Sequence, residues 1–78
     1  MTPQVKDVCV LTGKKLRLTF DNDETRVFDV TPYISGPWYG ELSDDAVFNL
    51  VRPSGRTVVW PDGQDIAPHE LYELSVPV

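Results

Sequence analysis

Cysteine and histidine are nearly absent from this chain: Cys9 and His69 each occur once in 78 residues. One cysteine excludes an intrachain disulfide and a cysteine-based zinc site, and one histidine excludes a multi-histidine metal centre. Cys9 is expected to be a small buried hydrophobe in a reducing compartment. No apolar run approaches the ~18 residues that a membrane-spanning helix requires. The segment from Met1 to Cys9 has no basic stretch followed by an apolar core, so no secretory signal is expected and the cytoplasm is the expected location.

Positive charge is also scarce. Seven basic residues face twelve carboxylates, giving a formal charge of −5. The bases are scattered, and the one local cluster, Lys14, Lys15 and Arg17, fits a solvated hairpin rim. Nucleic-acid binding needs a positive field, so direct contact with nucleic acid is disfavoured and a basic protein partner is the simpler expectation. Gly36, Gly40 and Gly55 do not form a phosphate-cradling motif. Ser35, Ser43, Ser54 and Ser75 lack a nucleophile-elbow context.

The size permits one domain, residues 1–78. A folded chain of 8.8 kDa should expose roughly 4,800 Å² and bury roughly 8,000 Å². If about 60% of that is apolar, burial contributes about 120 kcal/mol. Ordering the chain costs about the same. Most apolar side chains are therefore committed to the core.

The first half of the chain reads as strands. Val5, Asp7, Cys9 and Leu11 alternate with Lys6, Val8, Val10 and Thr12, and neither set is purely polar. Gly13-Lys14 and Asp21-Asn22-Asp23 are turn signals on either side of Leu16–Phe20, and Arg26–Val30 follows, completing a three-stranded meander. Pro32 then suits a short helical turn, with Thr31 as its cap. Gly36-Pro37-Trp38-Tyr39-Gly40 reads as a loop. A helix is expected from Ser43, with Asp44 and Asp45 in its first turn, an apolar face of Ala46, Val47, Leu50 and Val51, and an end at Pro53. Thr57–Trp60 reads as a strand, Pro61-Asp62-Gly63 as a turn, and Asp65-Ile66 as its short pairing partner. A last helix starts at Pro68 and ends at Pro77. The expected fold class is α+β: a small antiparallel sheet, made of the three-stranded meander plus a further strand pair, packed with two short helices.

These residues resemble a known family. The run Val27-Phe28-Asp29-Val30-Thr31-Pro32-Tyr33, the pair Leu42 and Phe48, and the block Thr57-Val58-Val59-Trp60-Pro61-Asp62-Gly63-Gln64-Asp65-Ile66-Ala67-Pro68 with Leu71-Tyr72 are similar to a set of short, mostly bacterial proteins catalogued as domain of unknown function 2442. The resemblance covers nearly the whole chain. It implies a small α+β fold, similar to the N-terminal domain of a longer bacterial protein with a C-terminal helix-turn-helix, and no established activity. It also implies pairing with another short protein, as in toxin–antitoxin units. A DNA-associated regulator is a further alternative, disfavoured by the expectation that the chain, ending at Val78, lacks the helix-turn-helix. Within the motif, Phe28, Asp29, Pro32, Trp60, Pro61, Asp62, Gly63, Asp65, Pro68 and Tyr72 are expected to be structural. Two positions depart from the family pattern. Asp23 stands where Gly is usual, and Ala67 stands where a capping Asp is common, which weakens the helix start by about 1 kcal/mol.

Candidate chemistry is sparse. Asp62 and Asp65 are the one carboxylate pair to weigh as a cation site or an acid/base pair, the basis of an alternative reading as a small ligand- or metal-binding domain or enzyme. A calcium loop would need more oxygen ligands, and catalysis would need a positioned partner. His69 beside Asp65 or Glu70 reads as a solvated residue rather than a general base. Neither a catalytic residue nor a cofactor is expected. Trp38 and Tyr39, two large aromatics on a Pro/Gly loop beside Glu41, Asp44 and Asp45, are the expected interaction surface, with contact to another small protein or to a second copy of the chain. An open sheet edge is the second docking element.

Overall fold

The computed structural model describes residues 2–78; Met1 and the part of the leader reading that rests on it lie outside the described residues. The accessible surface is 4654 Å², close to the value expected from mass. Three strands follow one another as an antiparallel meander: β1 (Val5–Leu11), β2 (Lys15–Phe20) and β3 (Thr25–Asp29). Leu16, Leu18 and Phe20 point to the core and are fully buried, whereas Lys15 and Arg17 face solvent. The β2–β3 turn holds Asp23 at φ +68°, the left-handed region for which glycine is better suited. Asn22 supports the turn by accepting a 3.0 Å bond from the Glu24 N–H.

β1 does not keep one alternation throughout. Its register against β2 shifts between Val5 and Asp7. The extra residue lets Val5 and then Val8 and Val10 face the core, while Asp7 and Cys9 point outward. Cys9 is therefore exposed, contrary to its expected burial: the bulge turns over the face that a strict period of two assigns to it.

Two strands lie where the sequence suggested helix ends. β4 (Arg52–Ser54) forms a hairpin with β5 (Thr57–Val59), so Pro53 sits inside a strand instead of terminating a helix. β6 (Val76–Pro77) pairs with β3 through Arg26↔Pro77 and Val27↔Val76. In such an edge position proline loses nothing by lacking an N–H. The main sheet thus has four strands in the order β1-β2-β3-β6, with the β4–β5 pair as a separate ribbon. The ribbon lies beside β1, where the Val5 N–H donates to the Arg56 carbonyl at 3.1 Å. The expected Asp65 pairing with the Thr57–Trp60 strand survives as a single bridge, Val59↔Asp65.

Among the described residues, helix is limited to short segments of three to six residues. A 3-10 turn spans Thr31–Tyr33 with Pro32 in its first positions. Its cap position belongs to Val30, and Thr31 serves instead as a donor to Asp29. α1 (Gly36–Tyr39) starts at Gly36 with φ +74° and runs into a second 3-10 turn, Gly40–Ser43. α2 (Asp45–Phe48) is capped by Asp44, whose carboxylate accepts the Ala46 N–H at 2.9 Å; Ser43 is not the cap. Because α2 closes after four residues, the expected apolar face is realised only in part, with Val47 and Val51 packed against the core. Phe48 is buried, whereas Ala46 and Leu50 are exposed. α3 (Pro68–Glu73) begins as expected, with Ala67 at the cap position making no side-chain bond.

The core lies between the inner face of the sheet and these turns. The Phe48 and Trp60 rings lie 5.7 Å apart, inclined by 37°, and Trp60 Nε1 donates to the Phe48 carbonyl at 3.0 Å. Phe20 meets Tyr72 edge-on at 5.1 Å. Arg26 closes the end near β6: its guanidinium lies 4.6 Å from the Tyr72 ring centre and donates to Ser75 Oγ and to the Ser75 carbonyl. The architecture is α+β. Among the described residues, no helix is long and apolar enough to cross a membrane.

Candidate functional site

The Trp38–Tyr39 turn folds onto the Trp60–Ile66 segment. Two features of the sequence set this up. Gly36 admits the positive φ that starts α1, and Pro61-Asp62-Gly63 reverses the chain so that the Gly63 N–H donates to the Trp60 carbonyl and the Trp60 N–H to the Gln64 carbonyl, both at 2.9 Å. The turn's carbonyls then accept from the aromatics. Trp38 Nε1 donates to the Asp62 carbonyl at 3.3 Å, and the Tyr39 hydroxyl to the Asp65 carbonyl at 2.6 Å. The two rings lie 5.1 Å apart, inclined by 58°.

Gln64 completes the joint from below. It is fully buried, and its Nε2 donates to the Trp38 carbonyl at 2.9 Å and to Glu41 Oε2 at 3.0 Å. Its Oε1 meets no donor among the described residues. Two acceptors facing Nε2 fix the orientation of the amide. The sequence reading assigned Gln64 no role of its own. The signal that locates it is period-two alternation: Gln64 and Ile66 share the inward side, and Asp65 between them is exposed.

Held in this way, Trp38 still leaves 45% of its surface in solvent. Tyr39 is half-buried. Burial, with the nearby charges of Asp65 and Glu70 adding to it, raises the Tyr39 pKa. The three acids expected as a polar rim are exposed, and each has a local contact. Glu41 accepts from Gln64, Asp44 caps α2, and Asp45 pairs with Lys14. Lys14 also lies 5.3 Å from the centre of the Phe48 ring. The same corner encloses a cleft of about 290 Å³ lined by Val10, Lys14, Asp45 and Phe48.

Asp62 and Asp65 are exposed, and their contribution to the joint is made by main-chain carbonyls. His69 lines a different depression, with Thr2, Gln4, Arg56 and Pro68. Among the described residues, no three His, Cys, Asp or Glu side chains gather as metal ligands would. The remaining motif residues act within the fold. Phe28 packs against Tyr33 at 5.6 Å. Asp29 Oδ1 accepts the Thr31 N–H at 2.9 Å. The Thr31 side chain and this N–H together, with Lys15 adding to them, hold the Asp29 carboxyl below the usual carboxylate range. Pro68 opens α3.

No curated protein and no solved structure matches the chain. One family model does, over residues 5–77. The chain belongs to the family described as protein of unknown function DUF2442.

Proposed function

We propose that this chain is a non-catalytic interaction module acting in the bacterial cytoplasm, one half of a two-protein unit of the antitoxin-like kind, with the Trp38–Tyr39 turn as its contact. The observation that carries the reading is a large aromatic that stays 45% exposed although its loop is pinned by three side-chain hydrogen bonds. A pre-ordered aromatic pays little conformational entropy on docking, which is the usual property of an interface anchor. Glu41, Asp44 and Asp45 are exposed on the turns that follow it in the chain, and their negative charge favours a basic partner surface. Asp62 and Asp65 stand at the margin of the same patch, in keeping with recognition rather than chemistry.

Co-expression with the product of the adjacent gene, followed by size-exclusion chromatography, tests the reading. Co-elution that Trp38→Ala abolishes, with the fold intact by circular dichroism, is the expected result. Separate elution of both proteins at micromolar concentration rejects it.

A further inference from the structure

The face of the main sheet opposite the helices is uncovered. Cross-strand register fixes its layout. One row is Cys9, Arg17, Val27 and Val76; the next is Leu11, Lys15 and Asp29, with Leu74 beside it. Three of the most exposed large hydrophobics in the protein lie here, Leu74 at 63%, Val76 at 65% and Val78 at 81%. With Lys15, Val27 and Asp29 they line a groove of about 480 Å³. An apolar strip of this kind marks a contact surface.

Charge identifies the occupant. The chain carries −5, so two copies repel through most of their surfaces. This face is the exception. Asp7 and Asp29 are balanced by Lys15 and Arg17, and Lys6 at the bulge is paired with Asp23 at 3.9 Å. The face is also complementary to itself. A two-fold axis running along the strands between β2 and β3 sets β2 of one copy over β3 of the other. That operation brings Lys15 opposite the second copy's Asp29, Arg17 over its Val27, and Leu11 toward its Leu74. Residue i meets j and j meets i, as an isologous interface requires.

We propose that this sheet face is a homodimer interface, closed by two reciprocal Lys15–Asp29 pairs and by reciprocal apolar contacts of Leu11 with Leu74 and of Cys9 with Val76. The surface is distinct from the Trp38–Tyr39 turn, so both can be engaged together. The three meander strands, ~4.8 Å apart and about 17 Å long, with the two-residue β6 beside them, give roughly 300 Å² per copy in plan, well below the size of a stable specific interface and in the range of a weak, transient contact. The dimer is accordingly one that dissociates on dilution.

Sedimentation velocity between about 10 μM and 1 mM tests this. The expected result is a rise toward twice the monomer mass, abolished by Val76→Asp without a change in the thermal melt. Lys15→Asp and Asp29→Lys should each be monomeric alone, yet associate when mixed, because the mixture restores both reciprocal pairs. The proposal is overturned if the chain stays monomeric throughout, if Val76→Asp or Lys15→Asp leaves association unchanged, or if Trp38→Ala is what abolishes it.

Discussion

Gln64 and Trp38 are joined through the main chain: the buried Gln64 amide donates to the Trp38 carbonyl at 2.9 Å, so the ring stands on a support that the core itself provides. The exposed aromatic and the hidden amide form one unit, and disturbing the second should displace the first.

Replacing Gln64 by Ala removes that donor and leaves a cavity beneath the turn. The expected cost is about 2–3 kcal/mol, read as a lower urea midpoint at an unchanged slope. Gln64→Leu keeps the volume and also removes Oε1, which meets no donor among the described residues, so it should cost less than the alanine. A leucine variant less stable than the alanine variant would refute this account of the joint.

All three tyrosines have pKa values raised above 10.0. Burial is the largest cause for Tyr33 and Tyr39, with the Glu70 hydrogen bond adding at Tyr33, and the bond to Glu24 is the largest cause at Tyr72. A raised folded-state pKa means that the neutral phenol stabilises the fold. This contribution is complete below the unfolded value near 10 and is lost as the pH climbs through the folded values. Ultraviolet titration of the native protein should therefore show phenolate forming at higher pH than in the urea-unfolded chain, with denaturant stability declining over that range.

Asp29 has the opposite sign. Its folded pKa is depressed by Thr31, so its contribution is complete above the unfolded value of 3.8 and is lost as the pH falls through the lower folded value. Asp29→Asn should be less sensitive than the parent chain to acid over that interval. Midpoints of urea denaturation measured across it decide the matter.

Two single substitutions should stabilise the fold. Ala67→Asp supplies the missing acceptor at the start of α3 and should add about 1 kcal/mol. Asp23→Gly relieves a left-handed residue at φ +68° and should add a few tenths to about 1 kcal/mol. Thermal melts at neutral pH read both.

The meander was legible because Leu16, Leu18 and Phe20 alternate cleanly and both turns carry residues suited to left-handed backbone. The family motif was equally legible, since Trp60-Pro61-Asp62-Gly63 is a turn whose chemistry is local. Prolines misled elsewhere. Pro53 and Pro77 read as helix terminators, yet both occupy strands. A strict period of two puts Cys9 on the wrong face, because one extra residue in β1 inverts every position after it. The spacing of Leu50 and Val51 continues a helix that the chain abandons after Phe48, so the sequence implies a longer α2 than forms. The exposure of Trp38 depends on contacts with residues more than twenty positions away, which no local pattern encodes.

The bulge in β1 has a practical consequence as well. It turns the chain's one thiol, Cys9, out to solvent on the bare side of the sheet. A maleimide dye attached there would report on that side alone, giving an optical signal for events at the sheet that is independent of indole emission from the opposite side of the molecule.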